Sequence, residues 1–130
     1  CSGTGVIRRH PDIRLLRRDS DIEAFVASQE RLLEALWPLL VPGGELLYAS
    51  CSILKAENGL LVRRFLRRTP GAVDQSESAR LRLAALPAAV TPGLPGFALL
   101  PGAADQDGFG YALLRSPTHP ALPASGTLDP

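Results

Sequence analysis

The sequence predicts an α/β domain, a sheet with helices on its faces, and three features point there. An amphipathic helical pattern, "DSDIEAFVASQERLLEALWPLL", is closed by a Pro-Gly-Gly turn and followed at once by a short apolar run, "ELLYAS". A second helical pattern fills 56–68, and "FGYALLR" near the end reads as another strand. Helices alternating with strands build a sheet with flanking helices. At 130 residues the chain has the size of one domain.

Taken in order, residues 1–18 begin with small, turn-prone types and run into a cluster of arginines. In the first helix Ser20 and Glu23 have capping-box spacing, and Asp19 and Asp21 put negative charge where the helix dipole favours it. Phe25, Leu32, Leu33, Leu36 and Trp37 fall near helical spacing, and Glu23, Glu30, Arg31 and Glu34 take much of the remaining surface. Pro42 with Gly43 and Gly44 ends that pattern. A continuous apolar run directly after such a turn predicts a buried parallel strand. In the second helix Leu61, Phe65 and Leu66 face inward, and Arg63, Arg64, Arg67 and Arg68 project near a C-terminus that suits cations. Pro70 and Gly71 stop it. "SARLRLAAL" suggests a short helix, and four prolines between 87 and 101 fragment the stretch after it. Residues 1–115 are expected to form the domain, and 116–130, rich in Pro, Ala, Ser, Thr and Gly, a disordered tail.

Composition excludes several classes. No apolar stretch is long enough to span a bilayer, and no secretory signal is visible. The formal charge is only +1, yet Arg8, Arg9, Arg14, Arg17 and Arg18 crowd together with His10, and Lys55 is the sole lysine. Guanidinium groups present planar forks suited to phosphate, so the cluster reads either as a solvated face or as a phosphate-contacting strip. The two cysteines, Cys1 and Cys51, are catalytic, inert or disulfide-bonded, and their number does not choose. A thiol redox protein is disfavoured by their wide spacing and the lack of a Cys-x-x-Cys motif. In α/β sheets, however, ligands collect beyond the carboxyl ends of strands, and Cys51 follows directly after one such end.

Three stretches carry a resemblance: "CSGTGVIRRHPD", "VPGGELLYASCSILKAEN" and "LLPGAADQDGFGYALL". Together, over about residues 1–115, the chain resembles the RNA cytosine-5 methyltransferases, in particular the Sun-type group, ribosomal RNA small subunit methyltransferase B. The resemblance implies the C-terminal half of a Rossmann-like S-adenosylmethionine-dependent methyltransferase sheet. It makes Cys51 the nucleophile that adds to the cytosine ring, since a covalent adduct splits one hard step into easier ones. Ser50 stands where the family usually has threonine. Cys1 matches a second cysteine that assists release of the methylated base, with Ser2, Gly3, Thr4 and Gly5 preserved after it. Because the family brings the two thiols to one site, a disulfide between them through oxidation in handling is also open. Arg8, Arg9 and His10 lie on the side from which RNA would approach. Glu57 and Asn58 match a family pair for which capping or loop fixing is the favoured role, and Asp107, Gly108 and Phe109 match a signature that shapes a hairpin.

The resemblance also implies S-adenosylmethionine as cofactor and ribosomal RNA as partner, in the cytoplasm. The glycine-rich loop expected for that cofactor is absent, and the first residue is not methionine, so the chain is expected to be an inactive piece of a longer enzyme. An exposed sheet edge then predicts self-association. The rival reading is a non-catalytic RNA-binding module that uses the arginine strip.

Overall fold

The structure, a computed structural model, describes residues 1–83, 85–102 and 105–118. In chain order the elements are α1 (Ile13–Leu16), α2 (Asp19–Leu36), β1 (Glu45–Ser50), α3 (Gly59–Arg68), β2 (Val73–Asp74), α4 (Ser76–Arg82), β3 (Ala88–Ala89), β4 (Phe97–Leu99) and β5 (Phe109–Arg115). The sheet runs β1-β5-β4-β3, with β2 also paired to β5. The fold class is α/β as expected, and among the described residues β1 lies at the end of the sheet, with no parallel neighbour of the kind its apolar run suggested. It pairs antiparallel with β5, from Glu45 opposite Arg115 to Ser50 opposite Gly110. Its burial alternates, and Leu47 is 60% exposed. Both faces of β1 carry apolar residue types, and among the described residues only the face of Leu46 and Tyr48 is packed.

That face holds the core. Leu33 of α2, Leu61, Val62 and Phe65 of α3, and Ala112 and Leu114 of β5 form one buried cluster, with Val26, Trp37, Leu46, Tyr48 and Leu66 around it. Trp37 meets Phe65 edge-on, with ring centroids 5.3 Å apart. Of the α2 residues expected to face inward only Leu33 is buried, whereas Leu32 and Leu36 remain exposed beside Leu47.

Local chemistry moves three boundaries. Helix α2 starts at Asp19, so its third residue is Asp21, and that carboxylate, not Glu23, accepts the Arg18 N–H at 2.9 Å. The predicted helix over 56–68 is broken at Asn58, and a 3-10 turn, Lys55–Glu57, precedes α3. Gly59 opens α3 because a Cβ there would lie 2.9 Å from the Leu94 Cβ. The chain after β5 is still bonded: Ser116 N–H donates to the Gly44 carbonyl at 2.9 Å, and its hydroxyl to the Val41 carbonyl at 2.8 Å. The rest of the predicted tail, from 119 on, lies outside the described residues. Among the described residues no helix is long and apolar enough to cross a membrane.

Candidate functional site

The site grows from the carboxyl end of β1. Ser50, the last strand residue, donates to Asn58 Oδ1 at 2.7 Å, while Asn58 Nδ2 donates to the carbonyls of Ser52 and Leu54, both at 2.9 Å. One side chain thus fixes the whole loop on which Cys51 sits, which explains why the helix waits until residue 59. The first residues of the chain cross this loop closely. Gly5 N–H donates to the Cys51 carbonyl at 2.9 Å, and the Gly5 carbonyl accepts from Gly108 N–H at 2.8 Å. A Cβ on Gly5 would stand 1.9 Å from the Gly108 oxygen, so only glycine passes between them.

This crossing brings the two sulfurs together. Cys1 Sγ and Cys51 Sγ are 2.7 Å apart, inside ordinary sulfur–sulfur contact but beyond the roughly 2.05 Å of a disulfide, and both thiols are free. The expected meeting of the cysteines is therefore present, and a disulfide is not. Cys51 is half-buried rather than sealed in hydrocarbon. Both sulfurs end a groove of about 470 Å³ between α2 and β1, walled by Leu32, Leu36, Leu46 and Leu47 with Gln29 beside them.

Beneath the sulfurs lies a buried polar cluster that is dense in hydroxyls. Ser2, Ser52 and Glu57 are fully buried. Ser2 Oγ lies 3.2 Å from both Thr4 Oγ1 and Ser52 Oγ, and Thr4 Oγ1 accepts from the Ile53 N–H at 3.1 Å. Burial alone would push the Glu57 carboxyl up; hydrogen bonds from Ser2, Ser52 and Gln29 outweigh that and leave it below the usual carboxylate range. A buried carboxylate that stays ionised needs several donors, and it has them. Arg17 donates from Nε to the Ser2 carbonyl at 2.8 Å, and its guanidinium lies over the Phe25 ring at 5.3 Å. Sequence reasoning placed Arg17 only in the arginine cluster.

Arg8, Arg9 and His10 lie on the surface after this crossing, and the two arginines are paired. Arg8 Nε reaches Asp107 Oδ1 at 3.0 Å and its Nη1 reaches Asp105 at 2.6 Å, while Arg9 Nε reaches Asp107 Oδ2 at 2.7 Å. Burial pushes the Asp107 pKa up, but the two guanidinium groups together outweigh it, so the carboxyl sits below its ordinary value. No spacing in the sequence signalled these pairs, which close over 97 to 99 residues. Among the described residues no group of three or more His, Cys, Asp or Glu side chains is arranged to hold a metal.

A family model described as 16S rRNA methyltransferase RsmB/F matches residues 1–115. The chain belongs to this family. Within it, the chain is similar to the ribosomal RNA small subunit methyltransferase B of Cronobacter sakazakii, 51% identical over 115 residues that make up 88% of this chain and 24% of that protein. The same-named protein of Enterobacter sp. (strain 638) is 49% identical over 114 residues, again 88% of this chain and 24% of its own length. The chain thus spans about a quarter of these RsmB/F relatives. Among solved structures, the crystal structure of PH0851 superposes with a TM-score of 0.71 at 29% identity, covering 88% of this chain and 24% of that one. The α/β architecture is that of this methyltransferase family.

Proposed function

We propose that the chain is the thiol-bearing part of an enzyme that methylates carbon five of cytosine in small-subunit ribosomal RNA. The observation that carries this is the pair of free sulfurs 2.7 Å apart at the end of an open groove. Carbon five of cytosine is a poor nucleophile. When the Cys51 thiolate adds to the neighbouring ring carbon, a carbon–sulfur bond forms and electron density shifts to carbon five, where the methyl group is then accepted. Release requires the carbon-five proton to pass to a base, the Cys1 thiolate in this proposal, as the carbon–sulfur bond breaks and returns Cys51 as thiolate. Cys1 stands beside the departing sulfur and assists that step.

Family membership implies S-adenosylmethionine as the methyl donor. The described residues do not fit it: Glu57, the buried carboxylate at the thiols, has both oxygens taken by Ser2 and Gln29, and the groove walls are leucines. The donor's site belongs to the longer protein, and this chain alone is proposed to be inactive in the cytoplasm where ribosomal RNA is made. Exposed Arg8, Arg9 and His10 contact RNA phosphates, with Asp105 and Asp107 orienting the two arginines. Those pairings leave a purely electrostatic RNA-binding module with less free charge than its sequence suggests.

The test is Cys51→Ser in the full-length protein, with radiolabelled methyl donor and small-subunit ribosomal RNA. Methylation is expected to disappear while the protein stays folded. Undiminished methylation would remove Cys51 from the chemistry and favour the non-catalytic module.

A further inference from the structure

The chemistry above leaves the buried Glu57 carboxylate without a task, and its surroundings supply one. Oε1 accepts from the Ser2 N–H at 2.8 Å and from Gln29 Nε2 at 3.1 Å, while Oε2 accepts the Ser2 hydroxyl at 2.5 Å. Both oxygens therefore hold the residue next to Cys1. On the other side, the Glu57 carbonyl accepts the Tyr48 hydroxyl at 2.5 Å, which hangs this turn from β1, the strand that ends just before Cys51. We infer that Glu57 is a positioning residue that sets where the Cys1 sulfur stands relative to the Cys51 sulfur.

The case rests on how completely Ser2, the neighbour of Cys1, is held. The N–H, hydroxyl and carbonyl of Ser2 are all held by side chains, the first two by Glu57 and the third by Arg17. A carboxylate only accepts, so its two oxygens match the two donors of Ser2, whereas an amide would turn an NH₂ group toward one of them. Hydrogen bonds to an ionised acceptor are shorter and stronger than neutral ones, which suits a tether that must fix a sulfur closely. A plain loop anchor needs no link to residue 2, because Asn58 already fixes the loop.

The inference rests on the proposed role of Cys1 in release, and its test separates the two. In the full-length protein, Glu57→Ala, Glu57→Gln and Cys1→Ala are compared in a single turnover with small-subunit ribosomal RNA. The readout is methylated RNA released against RNA held covalently. Glu57→Ala is expected to retain the adduct as Cys1→Ala does and to slow release about a hundredfold, the cost of misplacing a group by about 1 Å. Glu57→Gln, which keeps an acceptor for the Ser2 N–H but turns an NH₂ toward the Ser2 hydroxyl, recovers release only in part. A fall in methylation that tracks the folded fraction, with no rise in adduct, overturns the inference.

The second measurement needs no RNA. Iodoacetamide alkylation of Cys1, read from the mass of its peptide, is expected to change several-fold in Glu57→Ala and to return toward normal in Glu57→Gln. An unchanged rate overturns the positioning role. If Cys1→Ala releases RNA normally while alkylation responds to Glu57, positioning stands and the role given to Cys1 falls. Should Glu57→Ala not fold, Glu57→Asp takes its place with the same expectations, being one methylene too short to reach both donors of Ser2.

Discussion

Replacing Gly5 by alanine tests whether a backbone crossing, rather than side-chain contacts alone, brings the two thiols together. An added Cβ would sit 1.9 Å from the Gly108 oxygen, 2.6 Å from its carbonyl carbon and 2.9 Å from the Cys51 oxygen. Real Cβ contacts keep at least 3.0 Å, so the strands of chain must part by about 1 Å. The obstacles are backbone atoms, which cannot rotate aside. Parting them stretches two hydrogen bonds, Gly5 N–H to Cys51 and Gly108 N–H to Gly5, that now measure 2.9 and 2.8 Å. Each is worth about 1 kcal/mol net, and a buried group left unpaired costs about 1–3 kcal/mol, so the change should destabilise by about 3–5 kcal/mol. The comparison is Gly93→Ala, where φ is +75° but nothing lies within 4 Å; backbone strain alone makes that change cost about 1 kcal/mol. Urea unfolding of the full-length protein gives both values. In parallel, the rate at which peroxide joins Cys1 to Cys51 reports the sulfur separation and should fall in Gly5→Ala only. Equal stability of the two variants, or an unaltered rate of disulfide formation, would refute the steric reasoning.

The remaining predictions concern acid and the open groove. Glu57 and Asp107 both have folded-state pKa values below their ordinary values of 4.5 and 3.8, so each contributes stability that is fully present above those values and is lost as pH falls through the lower folded ones. The urea midpoint should therefore be level from neutrality down to about pH 5 and drop steeply below it. Asp107→Asn should flatten that drop, and an unchanged slope would deny the ion pairs with Arg8 and Arg9. The isolated chain should self-associate through the free edge of β1 and the exposed Leu32, Leu36 and Leu47. Light scattering should report aggregates that Leu47→Lys reduces; a strictly monomeric chain with Leu47 intact would count against it.

Period and turn chemistry made the long elements legible. The α2 and α3 stripes, the Pro-Gly-Gly stop and "FGYALLR" as β5 all follow from residue types a few positions apart. The features that failed to show depend on partners far along the chain. The strands β2, β3 and β4 have only two or three residues, too few to display a period. The apolar run of β1 states what it prefers to touch but not the direction of its neighbour, and β5 lies some 60 residues away. Asn58 fell inside the helical pattern by periodicity, and only the resemblance pointed to capping or loop fixing; its amide bonding to two loop carbonyls is what delays α3. Cys51 at a strand end was visible, whereas its pairing with Cys1 rested on resemblance alone, since a contact 50 residues apart has no local signature.

The groove and the thiols pose one physical problem. A sheet edge carrying exposed leucines beside two free sulfurs is unfavourable in water, because apolar surface stays wet and strand donors stay unpaired. In the longer relatives further chain is available to that edge, so what this chain itself supplies is a Cys51 sulfur that is half-exposed and not sealed in hydrocarbon, which would disfavour its thiolate. The ordered part of the site lies underneath. Buried Ser2, Ser52 and Glu57, with half-buried Thr4, form a hydroxyl and carboxylate floor, while the groove above keeps few polar partners. Rigidity therefore comes from the floor, and the groove itself contributes little to holding the sulfurs. Changes to the groove leucines should alter assembly and leave the sulfur separation alone, whereas changes to the floor should do the reverse. Peroxide-driven disulfide formation measured beside light scattering, in Leu47→Lys and in Ser52→Ala, would separate these effects, and a Leu47→Lys variant that moves both would show the two layers to be one.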